Sequence, residues 1–358
     1  MKIILLLGRS QGGGTEAHAK WLLAALQGAG YETRLYSLFP SHRQSSFTEQ
    51  FLEVFGLPLA KNRFIHWAKS EQADLVICFG RLANCCGHQI KQQIPNISII
   101  ATCRTNRRLP VAYLKTLASA DLVLTNSQWA RRRVSRIEGV NDENSYTIVN
   151  ALLRSELGTL SNSPADQRNA RLSFGLDPSR PVVSMVAHFV PGKNQEGLIR
   201  LVADKQLPAG TQLLFVGEGP RLRNCQRLVT RLALDSEIRF LGTVGQLNDI
   251  FRASDLIVST SLRDSLPNAL IEAQAAGVPV VAYDVAGVGE AFLHDQSGIL
   301  VPAADSHALS SAIEILLGDD ELRNGYSNRA REQAVRRFDP NRVLEDYVRH
   351  IGSLSRDQ

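Results

Sequence analysis

The sequence predicts an α/β protein made of two doubly wound parallel-sheet domains, and three observations lead there. Short apolar runs alternate with stretches of helical spacing, the mark of βαβ units. The 358 residues exceed what one ordinary core organises. After a polar, Ser/Pro-containing run from Ser161 to Arg168, which reads as a linker, the same alternation begins again. The expected division is therefore residues 1–170, residues 171–335, and a last helical segment over 336–358 that crosses back to the first domain.

In the first half, strands are expected near Lys2–Gly8, Thr33–Leu38, Asp74–Gly80, Ser98–Ala101 and Asp121–Thr125. Between the first two, Ala19, Leu22, Leu23 and Leu26 recur at helical spacing from Thr15 to Leu26, and Gly28 and Gly30 stop the helix. In the second half, strands are expected near Val182–Ala187, Gln212–Gly217, Ile238–Leu241, Leu256–Ser259 and Val278–Tyr283, with a last helix over Pro340–Leu354. The halves share an architectural rhythm and no short-period repeat.

Composition narrows the class. Hydrophobic residues at 44% and charged residues at 21% match folded globular proteins and exclude disordered and fibrous chains. The apolar run Ile3–Leu7 is far short of the roughly 20 residues that span a bilayer. Followed by Gly8 and Arg9, it reads as a buried strand and not as a signal peptide. The five cysteines, Cys78, Cys85, Cys86, Cys103 and Cys225, are odd in number and lack metal-ligand spacing, which fits a reducing cytoplasm. The net charge of +5 is compatible with anionic lipids, nucleic acids or phosphorylated small molecules. Its distribution is uneven, with Arg104, Arg107, Arg108, Lys115, Arg131, Arg132, Arg133 and Arg136 in one stretch.

The most informative segment runs Ser261-Leu-Arg-Asp-Ser-Leu-Pro-Asn-Ala-Leu-Ile-Glu-Ala-Gln-Ala-Ala-Gly-Val-Pro-Val-Val-Ala-Tyr283. It reads as loop, helix and buried strand, with Ser265 as cap, Pro267 in the first turn and Gly277 as the stop. Such a loop sets backbone N–H groups at a helix N-terminus, where a phosphate or sugar hydroxyls are welcome. Asp264 at its mouth and Glu272 along the helix can each accept hydrogen bonds from a vicinal diol. On local chemistry alone, Asp264 as a helix cap and Glu272 as a solvated helix residue is the plainer reading.

With these residues the chain resembles the retaining family 4 glycosyltransferases of the GT-B fold, of the kind acting in bacterial lipopolysaccharide or other surface-glycan assembly. Their signature is two acids eight apart, here Asp264 and Glu272, followed by the family-like Gly277-Val-Pro-Val-Val281 and Gly287-Val-Gly-Glu290. The resemblance implies Rossmann-like doubly wound domains facing each other across a cleft. It implies that Glu272 binds the nucleotide ribose and Asp264 the donor sugar, with Leu266, Pro267 and Asn268 beside them. Asp264 is one methylene shorter than the family's Glu, which bears on which hydroxyl is recognised.

Val186-Ala-His-Phe-Val-Pro-Gly-Lys-Asn-Gln195 is similar to the family's diphosphate segment. Lys193 matches its lysine, and His188 stands where the family has arginine, removing a permanent cation and a bidentate fork. Gly217-Glu-Gly-Pro220 is similar to the segment near the base, so Gly217 and Glu218 join the donor set, although a Gly-rich turn there is also ordinary punctuation. After the first strand, Gly8-Arg-Ser-Gln-Gly-Gly-Gly-Thr-Glu16 lacks both the dinucleotide and the phosphate-loop spacing, which argues against NAD and ATP sites. The resemblance sets Gly12, Gly13 and Gly14 opposite the donor, with a plain tight turn as the alternative.

Where the family often places a histidine after a middle strand, this chain has Ala101-Thr-Cys-Arg-Thr105, so Cys103 and Arg104 are the acceptor-side candidates. Lys193, Asp264 and Glu272 are the catalytic candidates. The implied reaction is transfer of a hexose-type sugar from a nucleotide-diphosphate-sugar to a lipid-linked or glycan acceptor with retention, by a hexosyltransferase needing neither metal nor cofactor. The basic stretch surrounds Leu109, Val111, Tyr113, Leu114 and Leu117, as a surface for an anionic inner leaflet would, although solvated helix faces over a core read the same way. A cytoplasmic protein, peripheral on the inner face of the membrane and without a nucleic-acid partner, is expected. The rivals are another GT-B-like enzyme, such as a nucleotide-sugar epimerase or a glycogen-synthase-like polymerase, and a non-catalytic sugar-nucleotide or lipid-binding subunit.

Overall fold

The computed structural model of the chain describes residues 1–9, 13–39, 47–160, 163–245 and 247–354, with the side chains of 47–55 and 155 outside that description. In chain order the elements begin with β1 (Lys2–Arg9), α1 (Gly14–Gly28), β2 (Glu32–Phe39), α2 (Phe47–Ser70), β3 (Leu75–Phe79), α3 (Gly80–Gln93) and β4 (Ser98–Cys103). They continue with α4 (Val111–Ser119), β5 (Leu122–Thr125), α5 (Gln128–Val134), β6 (Ser145–Thr147), α6 (Pro164–Ser173), β7 (Val182–Val186), α7 (Gln195–Ala203) and β8 (Gln212–Val216). Then come α8 (Leu222–Arg231), β9 (Ile238–Phe240), α9 (Asn248–Ala253), β10 (Leu256–Ser259), α10 (Asn268–Ala275) and β11 (Val280–Asp284). Last are β12 (Gly298–Pro302), α11 (Ser306–Gly318), α12 (Asp320–Arg337) and α13 (Pro340–Leu354).

The chain forms two compact units, one of Met1–Leu153 with Pro340–Gln358 and one of Arg154–Asp339. The first holds a parallel six-stranded sheet in the order β2-β1-β3-β4-β5-β6. The apolar run that opens the chain is explained by its central place. Ile3, Leu5 and Leu7 pack on one face with Ala19, Leu22 and Leu26 of α1 and Val343, Tyr347 and Ile351 of α13. Ile4 and Leu6 pack on the other with Phe64 of α2 and Ala83, Cys86 and Ile90 of α3. Alternate residues of a strand point to opposite faces, so a strand covered on both sides is apolar throughout. The last helix is further held by stacking of His350 on Tyr146, with ring centroids 3.9 Å apart.

The second unit repeats the plan, with the parallel order β12-β11-β10-β7-β8-β9. Its core joins Val183 and Met185 of β7, Leu213 and Phe215 of β8 and Val258 of β10 to Leu198 and Ile199 of α7 and Leu309 and Ile313 of α11.

Two sequence expectations need correction. The run from Ser161 to Arg168 is not a linker: α6 starts within it, and the units divide at Leu153/Arg154 instead of residue 170. Ser163 caps this helix by accepting from Asp166 N at 3.1 Å, and Pro164 supplies its first turn. Arg171 then fastens it to the second unit, donating to Asp255 Oδ2 at 2.6 Å and to Ala253 O at 3.0 Å. Composition made this helix look like a loop because one buried arginine, and not an apolar stripe, anchors it. Strands β6 and β12 were also unforeseen. Each is a sheet edge with a single neighbour, so short polar or Gly/Pro-bounded sequence suffices there.

Candidate functional site

Strand order decides where the second unit's motifs meet. From β7 the chain builds outward through β8 and β9, then returns to β7's other side with β10. Ligands of open α/β sheets bind at such a reversal, beyond the carboxyl ends of the strands. The loops leaving β7, β8 and β10 therefore converge there, and backbone bonds join them. Phe189 N donates to Glu218 O at 2.8 Å and Arg221 N to Phe189 O at 3.0 Å. Leu262 N donates to Gly192 O at 2.7 Å. The buried Thr260 hydroxyl lies 3.0 Å from Lys193 O and 2.8 Å from Asn194 O, pinning the lysine's own backbone.

The glycines of Gly217-Glu-Gly-Pro220 are required by this contact. Gly217 has φ +135°, and a Cβ there would meet Ala187 O at 2.2 Å. Gly219 has φ +148°, and its Cβ would meet Phe189 O at 2.4 Å. Two loops approach too closely for any side chain at either position.

Lys193 and Asp264 are brought together, with Nζ 2.5 Å from Oδ2. Their side chains are 22% and 18% exposed, so the pair sits at a surface that small molecules reach. Ser265 N donates to the other oxygen, Oδ1, at 3.2 Å. His188 is exposed, its Nδ1 lying 3.4 Å from Glu218 O, and Glu218 is exposed as well.

Glu272 keeps different company. Its Oε1 lies 3.9 Å from Nε of Arg154, whose Nη2 also donates to Gly245 O at 3.1 Å. Burial pushes its carboxyl up to about 7; Arg154 opposes that rise and Glu156 adds to it. Local sequence gave no sign of Arg154 or Glu156, because they lie more than a hundred residues before Glu272 in a stretch without motif. Ser265 does not act as the cap of α10: Pro267 occupies the N-cap position, where no side-chain cap bond forms, and Ser265 is buried. Leu266 and Pro267 are buried too.

The remaining candidates belong to the first unit. Gly12 lies outside the described residues; Gly13, at φ +98°, stands at the N-cap of α1, and Gly14 begins the helix. Cys103 is fully buried, its thiol pushed up by burial and directed at Thr105 O, 3.9 Å away, so it presents nothing to an acceptor. Arg104 is half-buried and donates to Asn150 Oδ1 at 2.7 Å. The apolar set of the basic stretch is not a surface face: Tyr113 and Leu117 are core residues, and Val111 alone of the five is exposed. Arg131 pairs with Asp142 at 3.0 Å, and Arg133 donates to Thr105 O at 2.9 Å, so part of the basic stretch serves local structure.

Residues 166–333, which carry the β7, β8 and β10 loops, match the family model described as glycosyl transferases group 1. Over that segment, just under half of the chain, the protein is similar to the glycosyl transferases group 1 family. Among its curated relatives is the lipopolysaccharide core biosynthesis glycosyltransferase LpsE of Rhizobium meliloti, 26% identical over 87% of this chain and 84% of that one. Another is N-acetyl-alpha-D-glucosaminyl L-malate synthase of Bacillus anthracis, 26% identical over 54% of this chain. The chain spans half of that relative's length, 50%. Among solved structures, HepE of Anabaena in complex with UDP-glucose superposes with a TM-score of 0.81 at 21% identity, covering 99% of this chain and 100% of that one. That likeness establishes the GT-B type of fold for this chain. Among the described residues, no group of His, Cys, Asp or Glu is arranged to hold a metal ion, and no helix is long and apolar enough to cross a membrane.

Proposed function

We propose that this protein is a retaining hexosyltransferase that moves a hexose-type sugar from a nucleotide-diphosphate-sugar to a lipid-linked or glycan acceptor in surface-glycan or lipopolysaccharide assembly. The observation that carries the reading is the Lys193–Asp264 pair at the sheet reversal, held by three interlocked loops inside the family-matched region. Relatives named for sugar transfer, LpsE among them, and the UDP-glucose bound by HepE support it.

In this reading Lys193 meets the diphosphate and stabilises the charge that grows as it leaves. Asp264 accepts hydrogen bonds from donor sugar hydroxyls, and Glu272 from the ribose. The glycosidic C–O bond to phosphate breaks while an acceptor hydroxyl forms its bond on the same face, its proton passing to the departing phosphate. No side-chain nucleophile, metal or cofactor enters this scheme.

Glu272→Ala is expected to abolish nucleotide binding, read by calorimetry with UDP and GDP; an affinity equal to wild type would remove the site. The exposed Arg107, Arg108, Lys115, Arg132 and Arg136 support a peripheral seat on the inner leaflet of the cytoplasmic membrane. Cosedimentation with liposomes should then need anionic lipid and fade with salt, and indifference to both would end the membrane proposal.

A further inference from the structure

The carboxyl edge of the first unit's sheet carries a cation without a counter-charge. Arg104 leaves β4 directly, and its guanidinium donates to the amide oxygen of Asn150 at 2.7 Å and lies beside the hydroxyl of Tyr347 on α13. Both partners are neutral. Among the described residues, Arg104 forms no ion pair with a carboxylate and no side-chain hydrogen bond besides that to Asn150. Arginine does not release its proton to escape such a setting. A half-buried cation with neutral partners is costly to keep unless something supplies the charge.

The group is also held in one orientation. On its other side the Tyr347 hydroxyl is hydrogen-bonded to His18 Nε2, 3.0 Å away. Burial first, and the Arg104 charge second, hold His18 well below the ordinary histidine range. It is therefore the neutral partner of the Tyr347 hydroxyl. Trp21, Phe79 and Tyr347 surround its ring at centroid distances of 5.2, 6.1 and 5.8 Å. Beside Arg104 the loop is stiffened by Arg133, which donates to Thr105 O at 2.9 Å and Arg107 O at 2.6 Å while lying over Trp129. Arg107 and Arg108 add two exposed cations.

We infer that Arg104 is the recognition point for an anionic group, a phosphate or a carboxylate, on the molecule that the first unit receives. The assignment of that molecule as the sugar acceptor rests on the transferase reading above. The planar fork of arginine matches either anion with paired hydrogen bonds, which a lysine does not reproduce. Tyr347 is a positioning residue, and α13 is thereby tied to recognition as well as to the core.

The test is a calorimetric titration of the full chain with inorganic phosphate, and in parallel with malonate. It is run on a Lys193→Ala background, because Lys193 is the other place where phosphate is expected to bind. Saturable binding is expected to fall about tenfold or more in Arg104→Gln, and several-fold in Arg104→Lys, which keeps the charge but loses the fork. Tyr347→Phe, lacking one hydroxyl, is expected to lose part of the affinity, and it decides the matter if Arg104→Gln fails to give a cooperative melt. Binding of malonate in preference to phosphate assigns the carboxylate class. Absence of binding by both anions in the Lys193→Ala protein, or binding indifferent to these substitutions, overturns the inference. A separate UDP and GDP titration of the wild-type protein keeps the two readings apart. Nucleotide binding with no Arg104-dependent anion sinks this site alone, and an Arg104-dependent anion with no nucleotide binding sinks the transferase reading alone.

Discussion

Glu272 illustrates how one side chain takes its properties from residues far away in sequence. Its carboxyl stands at about 7 against an ordinary 4.5, with burial as the main cause. Because the folded value is the higher one, the native state holds the proton more tightly. The associated stability is present below 4.5 and is lost as pH rises through about 7. Glu272→Gln, which cannot ionise, is expected to be the more stable protein above pH 7, by an amount on the order of 3 kcal/mol at most. Denaturant titrations at pH 5 and pH 8 check this: the difference between variant and wild type should open at pH 8 and shrink at pH 5, and equal differences would refute the shift. An Asp-x7-Glu spacing made Glu272 legible as a candidate. That its partner is Arg154 was not legible, since a contact across more than a hundred residues leaves no local pattern. Cys103 shows the converse: its position after a strand drew attention, and burial removes it from any surface chemistry.

Among the elements, loops and not helices set the site. The two glycines after β8 look in sequence like ordinary turn residues, and only the neighbouring strand order explains them: β7 and β8 pair in register, Val186 opposite Val216, so their following loops must pass in contact. Gly217→Ala would drive a methyl group into Ala187 O, with a backbone conformation that side chains rarely adopt. About 1–3 kcal/mol of strain is expected, with a displaced β7–α7 loop and nucleotide affinity reduced about tenfold. Gly28→Ala is the control, as nothing lies within 4 Å of its added carbon and it sits in a helix. It should leave binding unchanged and stability equal or slightly raised, by about 0.4–1 kcal/mol. Equal nucleotide affinity in both variants would show that the loop contact does not support the site. Helix α6 carries the same lesson in another form, because its anchoring by Arg171 to Asp255 depends on a partner 84 residues away.

For the whole molecule, the last helix matters most to the division of the chain. Val343, Tyr347 and Ile351 recur at helical spacing and are buried in the first unit's core, so the chain's final segment stabilises the unit where it began. Ile351→Ala is expected to cost about 2–5 kcal/mol. Hydrogen exchange should report the loss in β1 and α1 while β7 and β10 keep their protection, and uniform loss across both units would contradict separate cores. What the sequence by itself determined is the class and rhythm of the fold and the identity of the motif residues. Apolar periodicity and turn residues act within a few positions, so the central strands, the first helix and the acidic spacing could be read directly. What only tertiary structure decided is which of those residues meet. Strand order, set by long-range pairing, brings Lys193 to Asp264, while the packing of loops and helices brings Arg154 to Glu272 and Tyr347 beside Arg104. The edge strands and α6 escaped for the same reason: their stability comes from one distant neighbour and not from a pattern of their own.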